Sequence, residues 1–217
     1  LPEDEQGAWA LVQAGEKGQL VRAPLLPAAN NRIEMRVTST MTAEGILQAK
    51  MTQQYFGQSA HHIRSLLRDA PADQRQAIFE RALSSALGGV QVKKCTPVDN
   101  MDQGTAKVDL EFDLTRFGQM LRQRLLMLKP GLLGAAAPYR LPVKERKWPI
   151  QLTAQVSRGA VEVKLPDGFL ADEIPDPVKQ TSAYGAYQAE WKVTGNLLRF
   201  EETLEVKDLL APASDYA

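Results

Sequence analysis

A chain of 217 residues with 44% hydrophobic and 24% charged side chains is ordinary for a globular protein and long enough to bury a core without staples. Its 26 basic and 26 acidic residues cancel, which argues against the field of a nucleic-acid or anionic-membrane binder. The single cysteine, Cys95, excludes an internal disulfide and a cysteine-rich metal site, and no run of about 18 apolar residues predicts a membrane-spanning helix.

Ile33, Met35 and Val37 alternate with Glu34, Arg36 and Thr38, the period-2 pattern of a half-buried strand. After Ala43-Glu44-Gly45, Leu47, Ala49, Met51 and Tyr55 continue one face, so the two runs predict a hairpin. Ile63, Leu66 and Leu67 have helical spacing between Ser59 and Asp69. Pro71 suits the first turn of a second helix, whose apolar stripe is Ile78, Ala82, Leu83 and Leu87 and whose end is Gly88-Gly89.

The strand pattern then resumes. Val90 and Val92 open a strand running to Pro97, and Val108, Leu110, Phe112 and Leu114 alternate with Asp109, Glu111 and Asp113. Leu121 to Leu133, apolar but interrupted by Arg122, Arg124 and Lys129, is expected to be an extended or irregular connector. Gly134 to Pro138 resembles a linker. Trp148, Ile150 and Leu152 begin another strand. Val161, Val163 and Leu165 form the next, closed by the turn Pro166-Asp167-Gly168. Tyr187, Ala189, Trp191 and Val193 pair across Gly195-Asn196 with the run Leu198, Phe200, Leu204 and Val206. Strands, two helices, then many strands predict a mostly-β fold, an antiparallel β-sandwich with an inserted helical pair at about 58–88. The whole of 1–217 is expected to form one accessory region, with a possible sub-boundary near 134–147. Leu1 in place of Met, and a polar end at Ala217, read as a segment of a longer protein.

Scattered phrases carry a resemblance. Leu1-Pro2-Glu3-Asp4 with Gly7, Leu20-Val21-Arg22 before Pro24, Asn31-Arg32, and Tyr55-Phe56-Gly57-Gln58 entering a helix are four of them. Leu165-Pro166-Asp167-Gly168-Phe169 with Ile174-Pro175, Tyr184-Gly185-Ala186-Tyr187 before Trp191, and Asp215-Tyr216 complete the set. In this order the chain resembles the β-rich tail, of unknown function, that follows the transglutaminase-like core in large bacterial exported proteins. The resemblance implies a non-catalytic partner of that upstream core, placed in the periplasm or exported. The catalytic Cys–His–Asp set of such a core belongs upstream of Leu1 and carries over to no residue here.

The residues themselves offer few sites. Cys95 with His61 or His62 lacks an orienting third group, follows rather than precedes the histidines, and lies beside Lys93-Lys94, so a structural role is expected. Adjacent helical histidines point about 100° apart and cannot chelate one ion. Asp109, Glu111 and Asp113 on one strand face are explained by basic partners or solvation rather than calcium. The basic stretch Arg140, Lys144, Arg146 and Lys147 reads as a solvated face. Trp191 is expected in the core, while Trp148 and Tyr139 stay open as glycan or peptide contacts. No catalytic, cofactor or metal residue is predicted. The expected function is an accessory scaffold of a transglutaminase-like exported protein, or else a glycan- or peptide-binding module.

Overall fold

The computed structural model of the protein describes residues 5–15, 17–115, 117–121, 125–129, 131, 147–207 and 209–215. Alternating sequence becomes paired strand along most of this length. β1 (Trp9–Ala14) and β2 (Lys17–Arg22) pair with each other. β3 (Arg32–Met41) and β4 (Leu47–Phe56) form the expected hairpin, followed by α1 (Gln58–Asp69), α2 (Arg75–Leu87), β5 (Val90–Asn100) and β6 (Thr105–Leu114). The second half holds β7 (Gly118–Leu121), β8 (Leu125–Leu128), β9 (Ile150–Leu152) and β10 (Gln155–Lys164). It ends with β11 (Val178–Thr181), β12 (Gly185–Thr194), β13 (Leu197–Val206) and β14 (Leu209–Ala211).

Eight of these strands make one sheet in the order β11-β12-β13-β10-β3-β4-β6-β5. Every pairing in it is antiparallel except β3 with β10, which is parallel. The mostly-β expectation with a minor helical pair therefore holds, and the sheet is mixed at that one seam. Direct cross-strand partners share a face. One transverse row runs Trp191, Phe200, Val161, Val37, Met51, Leu110 and Cys95. This is the core face, and α1, α2 and the β7–β8 hairpin lie over it through Ala60, Leu67, Phe79, Leu126 and Leu128.

The opposite face is a row of charges and hydroxyls: Lys192, Arg199, Glu162, Thr38, Lys50, Glu111 and Lys94 in register. β6 shows why alternation was so legible, since its Ala106, Val108, Leu110, Phe112 and Leu114 are buried while every residue between them is only partly so.

A buried polar hub ties the seam to the helices. Asn31 donates its side-chain amide to the Ala154 carbonyl at 3.0 Å, and its Oδ1 accepts from the Ser59 backbone N–H at 3.1 Å and the Ser59 hydroxyl at 2.9 Å. Beside it the Arg32 guanidinium sits 3.5 Å over the Phe56 ring.

Several local expectations are corrected. Pro71 opens the inter-helix turn, its carbonyl accepting from the Gln74 N–H, and α2 starts only at Arg75. Phe79, absent from the predicted stripe, is the buried residue of α2, with Leu83 and Leu87 beside it and Ala82 exposed. The described part of the expected irregular connector, Leu121, 125–129 and Gly131, belongs largely to the β7–β8 hairpin, whose Leu126 and Leu128 reach the core. The predicted linker 134–138 and the basic residues Arg140, Lys144 and Arg146 lie outside the described residues. So does nearly all of the sub-boundary at 134–147.

Candidate functional site

The three carboxylates of β6 lie on the polar face, each within a lattice of cations. Asp109 accepts from the Lys107 ammonium at 2.6 Å and from the Thr52 hydroxyl at 2.7 Å, and Asp113 pairs with Lys93 at 2.7 Å. Glu111 stands in register between Lys50 and Lys94. Partial burial would raise the Asp109 carboxyl, but the bonds from Lys107 and Thr52, with the charges of Lys107 and Lys94, outweigh it and hold it below its usual value. Among the described residues no three His, Cys, Asp or Glu side chains gather as a metal site.

Cys95 and the histidines are apart in role. His61 and His62 are exposed on α1, while Cys95 is half-buried on β5 and packs against the core. No hydrogen bond joins them. Burial raises the Cys95 thiol, against an opposing pull from Arg75, which keeps it protonated and a poor nucleophile at neutral pH.

Of the tryptophans, Trp191 is partly buried and stacks on Phe200 with ring centroids 5.0 Å apart and planes tilted by 41°. Trp9 and Trp148 are exposed, at 70% and 78%. Tyr139 lies outside the described residues.

Two depressions flank β11. On the polar face a trough of about 720 Å³ has Gly159 and Ala160 of β10 at its floor, where small side chains leave room between Arg36, Arg158, Glu201 and Lys179. At the Thr181 end a larger cleft of about 830 Å³ lies between β11–β13 and the β9–β14 ribbon. Its lining includes Ile150, Leu152, Leu204, Val206, Pro212 and Tyr184. The Tyr184 hydroxyl donates to Asp215 across this cleft. Sequence reading found neither depression, because each is assembled from strands far apart in the chain.

Some of the phrases that carry the resemblance meet: Asn31-Arg32 packs on Phe56 and on Ser59 just after Gly57, and Tyr184 reaches Asp215, while Leu165 exchanges hydrogen bonds with Asn196 of the last hairpin turn. They hold turns and strand ends together. Residues 123–217 match the model of a family described as a domain of unknown function with a solved structure (DUF3858). No curated protein and no solved structure matches the chain. The DUF3858-like stretch carries β8 to β14 and the whole cleft, whereas β3 to β6 and both helices precede it. No helix among the described residues is long and apolar enough to cross a membrane.

Two phenols in the sheet report on its integrity. Tyr55 is pushed up to about 12 by burial. Tyr187 reaches about 12 through burial and through Glu202, whose carboxylate accepts from its hydroxyl at 3.2 Å. A phenol whose folded value lies above its unfolded one stabilises the fold fully below pH 10. That contribution is lost as the pH rises through 12. Alkaline titration followed by phenolate absorbance and circular dichroism is expected to show these two ionising together with unfolding. Complete phenolate formation near pH 10 with the fold intact would show both rings to be solvated.

Proposed function

We propose that this protein is a non-catalytic accessory module of a larger exported protein, supporting a transglutaminase-like core that precedes it in the same chain. The observation that carries this reading is the β1–β2 hairpin. Trp9, Leu11 and Leu20 share one of its faces and are 70%, 73% and 66% exposed. Within residues 5–26, Arg22 donates to the Gly7 carbonyl and the Leu26 N–H to the Gln6 side-chain oxygen. An isolated two-stranded ribbon is marginal in water, and apolar clusters of this kind mark surfaces that are covered in the working protein. The resemblance supplies the covering partner: the upstream core. The periplasmic or exported location rests on the same resemblance.

The test is to place charge on the hairpin. In the isolated chain, Leu11→Glu with Leu20→Glu is expected to shift stability by no more than about 0.5 kcal/mol, as for exposed positions. In the longer protein the same pair is expected to uncouple the unfolding of the core from that of this module, and Cys95→Ser is expected to leave core activity unchanged. A longer protein without a Cys–His–Asp core, coupling that survives the double substitution, or turnover by the isolated chain that vanishes in Cys95→Ser would overturn the reading.

A second reading, a glycan- or peptide-binding module, draws on the exposed Trp148 and the apolar cleft.

A further inference from the structure

The sheet carries a second apolar set outside its core. Ile150 and Leu152 of β9 and Leu204 and Val206 of β13 belong to no part of the cluster packed under the helices; they line the cleft of about 830 Å³. One wall of the cleft is the sheet, through Tyr187, Leu204 and Val206, and the other is the β9–β14 ribbon, through Ile150, Leu152 and Pro212. The open edge strand β11, paired only with β12, lends Gln180 and Thr181. Ile150, Leu152 and Leu204 stay half-buried, so the two walls hold apolar surface that folding has not used up.

The polar groups of the lining are mostly engaged. The Tyr187 hydroxyl donates to Glu202 at 3.2 Å and the Tyr184 hydroxyl to Asp215. The Ser182 hydroxyl accepts from the Tyr184 N–H at 3.1 Å, and Asp215 also accepts from the Ser214 hydroxyl at 3.0 Å. Gln180 and Thr181 are the uncharged polar side chains of the lining that make no hydrogen bond among the described residues. The charged ones, Lys179, Glu205 and Asp215, carry one positive and two negative charges and are all exposed, so an anion is disfavoured and a cation is screened.

We propose that the cleft binds an uncharged, largely apolar small molecule, held between the two walls with one polar end at Gln180 and Thr181. Its size falls in the range of roughly 300–1,000 Å³ that takes drug-sized ligands, and such sites combine apolar walls with a few placed polar groups. Burial of the ligand and of both walls supplies the affinity. This ligand differs in class from the glycan or peptide named above. A sugar carries hydroxyls on every side and a peptide an amide at each residue, and those left unpaired against these walls cost binding. The inference depends neither on the β1–β2 hairpin nor on the upstream core.

The test titrates the full chain with N-phenylnaphthylamine, an uncharged apolar dye that brightens out of water, and follows both fluorescence and amide signals by nuclear magnetic resonance. Saturable binding is expected, with amide shifts concentrated at 150–152, 180–187, 204–206 and 211–213. Ala213→Trp places a large ring in the cleft from a half-buried position. With its fold checked by circular dichroism, it is expected to weaken binding by about tenfold. Leu11→Glu with Leu20→Glu removes the other exposed apolar surface and is expected to leave the affinity unchanged. Anilinonaphthalene sulfonate, a dye of similar size that carries a negative charge, is expected to bind about tenfold more weakly at these amides. No saturable binding up to the solubility of the dye, shifts centred on the β1–β2 hairpin or elsewhere, or full affinity in a folded Ala213→Trp chain would overturn the site. The amide map decides alone where that variant does not fold. Equal or tighter binding of the sulfonate at the cleft would overturn the ligand class.

Discussion

Phe200→Ala is expected to cost about 3–5 kcal/mol, a large share of the 5–15 kcal/mol typical of a domain. Phe200 is 1% exposed at the middle of β13, in register with Val161 on one side and Trp191 on the other. Truncation removes a buried ring and leaves a cavity between strands that are held by continuous ladders and cannot collapse onto it. Trp191→Ala, at a partly buried ring on the outer side of the same pair, is expected to cost less, about 2 kcal/mol including the lost ring–ring contact. Chemical denaturation of both variants measures the order. A Phe200→Ala midpoint matching the parent, or a larger loss for Trp191→Ala, would show the row of core side chains to be packed otherwise.

Gly57→Ala is the second large effect. Gly57 has φ 59° and ψ −128°, a region open essentially to glycine alone, and it precedes the first residue of α1. A Cβ there would also lie well inside contact distance of the Asn30 carbonyl oxygen. Relief requires moving the backbone at Asn30 and Asn31, and so the Asn31 bonds that join the start of β10 to the start of α1. The expected cost is about 3 kcal/mol or more, read as a fall in Tm of roughly 6–12 °C for a chain of this size. A Tm within about two degrees of the parent would mean that the turn accepts a side chain and that the hub is not rigid.

These two positions were not equally readable in advance. Phe200 was visible as a core residue because alternation is a local property: a strand with one face on the core must place apolar groups at every second position. The same logic exposed β3, β4, β6, β10, β12 and β13, and the Gly195-Asn196 turn set the register of the last pair. Gly57 was noticed only as part of a phrase. Its necessity arises from the Asn30 carbonyl, 27 residues away in sequence and adjacent only after folding.

The candidate sites divide along the same line. The residue types of Cys95, His61, His62 and the β6 carboxylates led to an expectation of structural roles, and the structure sets the carboxylates in a charge lattice and the thiol against the core. The trough, the cleft and the open edge left no signal. β11 is four residues long, β9 and β14 three each, and β1–β2 and β7–β8 are ribbons whose patterns are too short to stand out from loops.

By itself, then, the order of apolar and polar residues determined which of the longer segments become strand or helix and which side of each long strand is buried, since those follow from periods of 2 and 3.6 along one element. Which strands become neighbours was decided by tertiary structure alone. β3 and β10 lie side by side and parallel although more than a hundred residues separate them. Pairing over such a distance is selected by the burial of the whole core face at once and by the Asn31 hub, not by any local preference. That choice leaves β5 sealed under α2 and β11 open at the far edge, because an eight-stranded sheet that does not close on itself must end somewhere.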